Sequence, residues 1–446
     1  MKRKIISALA IMTIATSIFT GCGAKEDAVA KTEDTAKNDT SSTNETSGEK
    51  NFKMLTIWSE DEVYGKLLTG LMEGYKTDMN ENFNYEYELV SSDSLKQKVA
   101  TLVASNDLPD MFAYESGRPI VDLIEADKLV NMSTELNDLG VYGNLEDGAT
   151  SLLKTLSGTE DLYDLPLGLN IEGFWYNKEL FETAGVEVPT TWEEFEAVCE
   201  ELNSLGIQPL TAGGADRWPL TRLVNAYAYR SMGVDAMEKA STGEASYTDE
   251  GYVASAKAIQ DLANKGYFGQ GVVTVDMGTA GDMVMSGTAA MLYNGSWFAG
   301  DLNEDTNPAG MDGVGFFNVP VVDDSISSQN EYSMNCGNIL VMDKSKYDDV
   351  SKEFLKYFVD NVGNTGMEDY GTILGYKYTV EPNLSPYTQI VADELAKVEK
   401  STTWFEASMN SETATIAQEQ IQTLINGEIT PEDYMEQIQN AYNMSN

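Results

Sequence analysis

The chemistry open to this chain is set by what it holds and what it lacks. Its 446 residues include no histidine, 72 Asp and Glu, and six tryptophans. Without histidine, the commonest general base, the Ser-His-Asp arrangement and most zinc sites are gone. The three cysteines, Cys22, Cys199 and Cys336, match no metal-binding spacing, so no metal or cofactor is expected. Cys199 reads as a buried small hydrophobe, with a Cys199–Cys336 disulfide left open. Two chemistries remain. A carboxylate pair can cleave a glycosidic bond without histidine. Alternatively, flat rings can pack on apolar C–H faces while carboxylates, amides or guanidiniums satisfy vicinal hydroxyls, which is binding without reaction.

Composition narrows the partners. A length of 446 residues calls for two lobes rather than one core. The apolar content of 42% is that of a globular protein. A formal net charge of −43 excludes a nucleic-acid-binding surface and disfavours anionic solutes. No G-x-x-x-x-G-K-[ST] segment is present, so the chain carries no P-loop ATPase motif.

The chain begins with a basic Met1-Lys-Arg-Lys4 and an apolar stretch over 5–20, which reads as a secretory signal over 1–21. It ends in Phe19-Thr-Gly-Cys22, which resembles a bacterial lipobox with Cys22 as the lipidated residue. Residues 23–51 are polar and poor in large apolar side chains, so 22–51 is expected to be a lipidated tether. The folded body is expected from Phe52. Strands are predicted over 54–58, 83–89 and 111–114, and helices over 63–79 and from a capping box at Ser94-Leu-Lys-Gln97. This β-α-β-α-β order predicts parallel strands, with ligands outside their carboxyl ends. Residues 162–169 read as an extended crossing, because Pro166 disfavours helix before it. A strand over 173–177, a short helix closed by Gly185 and a capping box at Thr191-Trp-Glu-Glu194 follow. Further on, helices are predicted over 220–232 and 247–266 and a strand over 289–293, with Gly295-Ser296 as a turn presenting Trp297. Residues 318–324 are expected to return the chain to the first lobe. A helix is expected to open at Ser401-Thr-Thr-Trp404, and C-terminal helices over 416–425 and 431–442.

Several blocks occur in a telling order: YDLP at 163–166, WYNKELF at 175–181, PTTWEEF at 189–195 and GDMVMSGTAAMLYNGSW at 281–297. Together they resemble the extracellular solute-binding proteins of ABC importers, the maltose-binding-protein-like group. The resemblance implies an α/β fold of the periplasmic-binding-protein type II, two α/β lobes joined by a three-segment hinge. The N-terminal lobe would comprise 52–166 and 333–382, and the C-terminal lobe 167–332 and 383–446. It further implies ligand contacts at Glu60, Asp61 and Glu62 after the first strand, at Tyr114, at Asn170 beyond the crossing, and at Trp297 and Trp404. Trp58, Arg217, Trp218 and Asn335 complete the candidate set, each at a strand end, a crossing or a helix start. Trp58 reads equally as core, the Gly295-Ser296 turn and the polar handle of an indole weaken a core reading of Trp297, and each acidic candidate alone reads as a solvated loop charge. Trp175 and Trp192 are assigned to packing.

The implied function is that of a lipid-anchored receptor on the outer face of a bacterial membrane. It would bind a sugar or oligosaccharide by hinge closure and hand it to a separate permease, as a monomer and without catalysis. Two alternatives stay open: a surface glycosidase with a carboxylate pair, and a ligand-sensing partner of a membrane sensor kinase.

Overall fold

The computed structural model describes residues 50–445; the expected leader, Cys22 and nearly all of the expected tether lie outside the described residues. In chain order the strands are β1 (Lys50–Thr56), β2 (Phe83–Leu89), β3 (Met111–Glu115), β4 (Asn170–Asn177), β5 (Gln208–Thr211), β6 (Ala289–Gly295), β7 (Val314–Phe317), β8 (Glu331–Asn335), β9 (Asn338–Met342) and β10 (Lys400–Thr402). The expected tether is thus shortened at its C-terminal end, because Lys50 and Asn51 already pair with Phe83 and Asn84 in the sheet.

The strands form two sheets. The first runs β2-β1-β3-β9, with β1 parallel to both β2 and β3 and β9 antiparallel. That is the parallel arrangement predicted for the first three strands. Phe52, Leu55, Phe83 and Phe354 pack at its core. Leu89 ends the edge strand β2 and is 55% exposed. The helix Ser92–Ser105 starts before the predicted capping box: Ser91 takes the cap position, and Ser94 sits inside the first turn.

The second sheet runs β10-β8-β4-β6-β5, with β7 also pairing β4. The aromatic run of β4 is buried along nearly all its length, as a central strand requires. Its core gathers Phe174, Phe195, Tyr293 and Phe405, and a smaller cluster holds Trp175, Phe298 and Tyr387. Gly185 takes φ +65° to close the helix Lys178–Ala184, as predicted. At Thr191 the capping box forms in full: its hydroxyl accepts from the Glu194 amide, and the Glu194 carboxylate accepts from the Thr191 amide. Cys199 and Cys336 are both buried and free, which closes the disulfide question.

Three passes of backbone join the sheets. The first runs from Leu165, bridged to Leu340 of β9, into β4 at Asn170. The second is Asn335–Asn338, between β8 and β9. Residues 318–324 do not make this return: Val321 stays with the second sheet's helices, bridging Thr191. The third runs from Tyr376, in the first core, to Tyr387, in the second sheet's small cluster.

The register fixes where a site can lie. β1 and β3 are parallel and β9 begins opposite Glu115, so the chain leaves β1 and β3 at the edge where β9 starts. In the second sheet, β5, β6, β8 and β10 all end at the edge where β4 begins. The short Asn335–Asn338 pass joins these two edges. The carboxyl ends of both sheets therefore open toward the same crossing, where ligands of α/β sheets bind.

Candidate functional site

Each aromatic candidate of the second sheet follows a strand end. Trp218 starts the helix Trp218–Met232, after the turn that leaves β5. Its preceding residue, Arg217, is exposed and held at φ +67°, which a residue with a Cβ rarely adopts. Trp297 lies in the turn Ser296–Phe298 directly after β6. Trp404 follows β10 in an irregular segment; the helix expected there begins only at Ser411, capped by Asn410.

These three tryptophans, separated by up to 186 residues in sequence, converge. The ring centre of Trp297 lies 5.9 Å from Trp218 and 6.5 Å from Trp404, edge-on to both. Between Trp218 and Trp404 stands Arg222, its guanidinium carbon 4.2 Å and 3.7 Å from their ring centres. Arg222 pairs with Glu172 at 2.7 Å and approaches Glu406 at 3.7 Å. Glu172 is fully buried in β4 and also accepts from the hydroxyls of Tyr293 at 3.1 Å and Ser333 at 2.9 Å. Burial pushes the Glu172 carboxyl above its ordinary range; Arg222, Ser333 and Tyr293 oppose that shift.

Asn170 and Asn335 form the polar centre. They are direct register partners where β4 begins and β8 ends, and both are buried. The Asn170 amide donates to Asn335 Oδ1 at 3.5 Å and accepts from Ser296 Oγ at 3.2 Å. The Asn335 Nδ2 is buried with no hydrogen-bond partner. A cavity of about 150 Å³ adjoins this centre, lined by Tyr64 from the first sheet's side and by Asn170, Ser296, Trp297, Asn303 and Thr388 from the second.

Of the sequence candidates, Asn170 and Trp297 line that cavity; Trp218, Trp404, Arg217, Asn335 and the candidates of the first sheet do not. Trp58, just past β1, is half-buried and touches Tyr64, with ring centres 5.3 Å apart. Glu60 and Asp61 are exposed; Glu62 holds the N-cap position of the next helix without a side-chain cap, its carboxylate accepting instead from the preceding Ser59 amide at 2.6 Å. Tyr114 is half-buried beside Phe112; burial raises its hydroxyl to about 12. Trp175 and Trp192 are core residues, with the Trp175 indole donating to the Gly295 carbonyl at 3.1 Å.

Sequence reasoning missed Arg222, Glu172, Glu406, Tyr64, Asn303 and Thr388. Only Arg222 left a local trace, since it follows Trp218 by four residues on one helix face.

The sequence pattern of the family described as bacterial extracellular solute-binding protein matches residues 63–365, more than half of the chain. The chain belongs to that family. An uncharacterised ABC transporter extracellular-binding protein of Pyrococcus horikoshii is 24% identical over 69% of this chain and 68% of its own length. The alpha-glucosides-binding periplasmic protein of Rhizobium meliloti is 28% identical over 44% of this chain and 43% of its own. Among solved structures, a chitin oligosaccharide binding protein superposes with a TM-score of 0.80 at 23% identity, covering 89% of this chain and 98% of that one. A solute-binding protein solved with raffinose gives a TM-score of 0.70 at 18% identity, covering 88% and 99%. These likenesses establish the type II solute-binding fold expected from the sequence. The family and its relatives are solute-binding proteins rather than enzymes.

Proposed function

We propose that this solute-binding protein captures a neutral sugar or oligosaccharide between its two sheets and delivers it to an ABC permease. The observation that carries the reading is the meeting of Trp218, Trp297 and Trp404 beside the Asn170 cavity, at the carboxyl ends of the second sheet. Flat indole faces suit the C–H faces of a pyranose, and the paired asparagines suit its hydroxyls. The relatives named for alpha-glucosides and chitin oligosaccharide support the same ligand class. A net charge of −43 argues against an anionic solute.

Two lobes, one built on each sheet, close around the solute by bending the three passes, and the solute selects the closed form by touching both sides. Candidate contacts are Trp58, Glu60, Asp61, Glu62 and Tyr114 on one side and Asn170, Arg217, Trp218, Trp297, Asn335 and Trp404 on the other. The lipobox-like Cys22 and the polar stretch after it support a lipid anchor and tether on the outer membrane face, holding a monomer near its permease.

A thermal-shift screen against neutral oligosaccharides tests the reading, followed by chromatography of the recovered sugar. Saturation at a hundred times Kd stabilises by about 2.7 kcal/mol, a readable shift. A shift with the sugar recovered intact is the expected result; no shift with any sugar, or a cleaved sugar, contradicts it.

A further inference from the structure

The arginine between the two tryptophans has no place in the site as the sequence presents it. Arg222 is 8% exposed, and its charge is turned toward carboxylates rather than toward the cavity. Its planar guanidinium occupies the space between Trp218 and Trp404. Each of those rings therefore has one face taken, and the pair cannot close on a sugar from both sides.

Trp404 particularly needs such a partner. It sits in an irregular segment between β10 and the helix Ser411–Ile425, with no regular element to fix its ring. One helix, Trp218–Met232, holds that segment at three points. The Thr221 hydroxyl donates to Glu406, the Asn225 amide donates to the Thr403 carbonyl at 2.9 Å, and Arg222 stacks on Trp404 itself. The first two fix backbone and flank; Arg222 touches the ring. Glu172 in turn holds Arg222 from the central strand of the sheet.

We infer that Arg222 is a positioning residue for saccharide recognition: stacked between Trp218 and Trp404 and anchored on Glu172, it sets both indoles so that a neutral sugar meets their outer faces and the edge of Trp297. This rests on the sugar-binding reading above. Planarity is what the role requires. A guanidinium offers a flat, weakly hydrated surface that stacks on indole, whereas an ammonium is a point charge. Lysine would still neutralise Glu172 and would not hold the rings.

The test is Arg222→Lys in the full chain, read by near-UV circular dichroism and acrylamide quenching without ligand, and by calorimetric titration with whichever oligosaccharide stabilises the wild type. The expected result is a folded protein with weakened tryptophan bands, increased quenching and affinity lower by about tenfold. If Arg222 only neutralises Glu172, the lysine variant keeps wild-type spectra and affinity, and the inference is overturned. Should Arg222→Lys not fold, the double variant E172Q/R222M removes both buried charges together and is read the same way. Should the wild type bind no sugar, the sugar-binding reading fails, and the ligand-free spectra alone decide whether Arg222 sets the rings. A complex with a sugar ring lodged between Trp218 and Trp404 would overturn the inference directly.

Discussion

The backbone amide of Arg118 donates to the carbonyl of Ala407 at 3.2 Å, tying the turn after β3 to the segment after β10. The contact joins the two sheets by main chain alone and involves the loop that carries Trp404. Gly117 makes it possible. It sits at φ +85°, and a Cβ there would lie 2.8 Å from the Ala407 oxygen.

Gly117→Ala should therefore act twice. The positive φ costs about 1–2 kcal/mol with a Cβ present, and the clash forces the two segments apart. Melting should fall and ligand affinity should weaken in the same variant. A variant that melts and binds like the wild type would show that this contact is unimportant to closure.

Asp164 gives the pH dependence. It lies immediately before the first pass between the sheets, 1% exposed, with Oδ2 lacking any hydrogen-bond partner. Burial pushes its carboxyl up from 3.8 to about 7. Its charge is felt by Cys336 and Tyr376, so groups from the other two passes face it. The folded form thus keeps a proton that the unfolded chain releases near pH 4. Stability from this group is complete below that pH and is lost as pH rises toward 7, by about 4 kcal/mol in total. Asp164→Asn cannot ionise and keeps its stability. The difference in melting temperature between wild type and variant, followed from pH 4 to 9, should move in favour of Asn up to about pH 7 and then level. A difference independent of pH would sink the assignment.

The Thr191 capping box should be a purely structural device. Thr191→Ala removes the acceptor for the Glu194 amide and should cost about 1 kcal/mol by denaturant unfolding. Because the capped helix packs on Phe174 rather than on the tryptophan cluster, ligand affinity should not change. A loss of affinity in this variant would mean that the helix takes part in binding.

Local signals were legible and pairings across distance were not. The capping box at Thr191, the glycine stop at Gly185 and the parallel order of the first three strands each depend on a few neighbouring residues, and each is observed as predicted. The positions of Trp218 at a helix start and of Trp297 in the turn after β6 were also readable, because such boundaries follow local turn chemistry; Trp404 was expected at a helix start and lies instead in an irregular segment after β10. The mutual contact of the three was not readable: no local rule brings position 404 to 218. Arg222 and Glu172 were invisible for a related reason. In a chain with 72 acidic residues, an arginine on a helix and a glutamate in a strand read as solvated charges until the partner strands are in place. The Ser401 helix failed because three β-compatible residues found an edge, Thr402 pairing with Ser333 of β8, before a helix could start.

We propose the tryptophan cluster beside Asn170 as the place where the solute binds. Its most direct test is calorimetric titration of wild type and Trp297→Ala with an oligosaccharide that stabilises the wild type. Trp297 is half-buried at the cavity wall, so the unliganded variant should stay folded, with melting close to wild type. Binding should weaken by about 2 kcal/mol or more, roughly thirtyfold. Equal affinity in the two proteins, with both folded, would place the solute elsewhere.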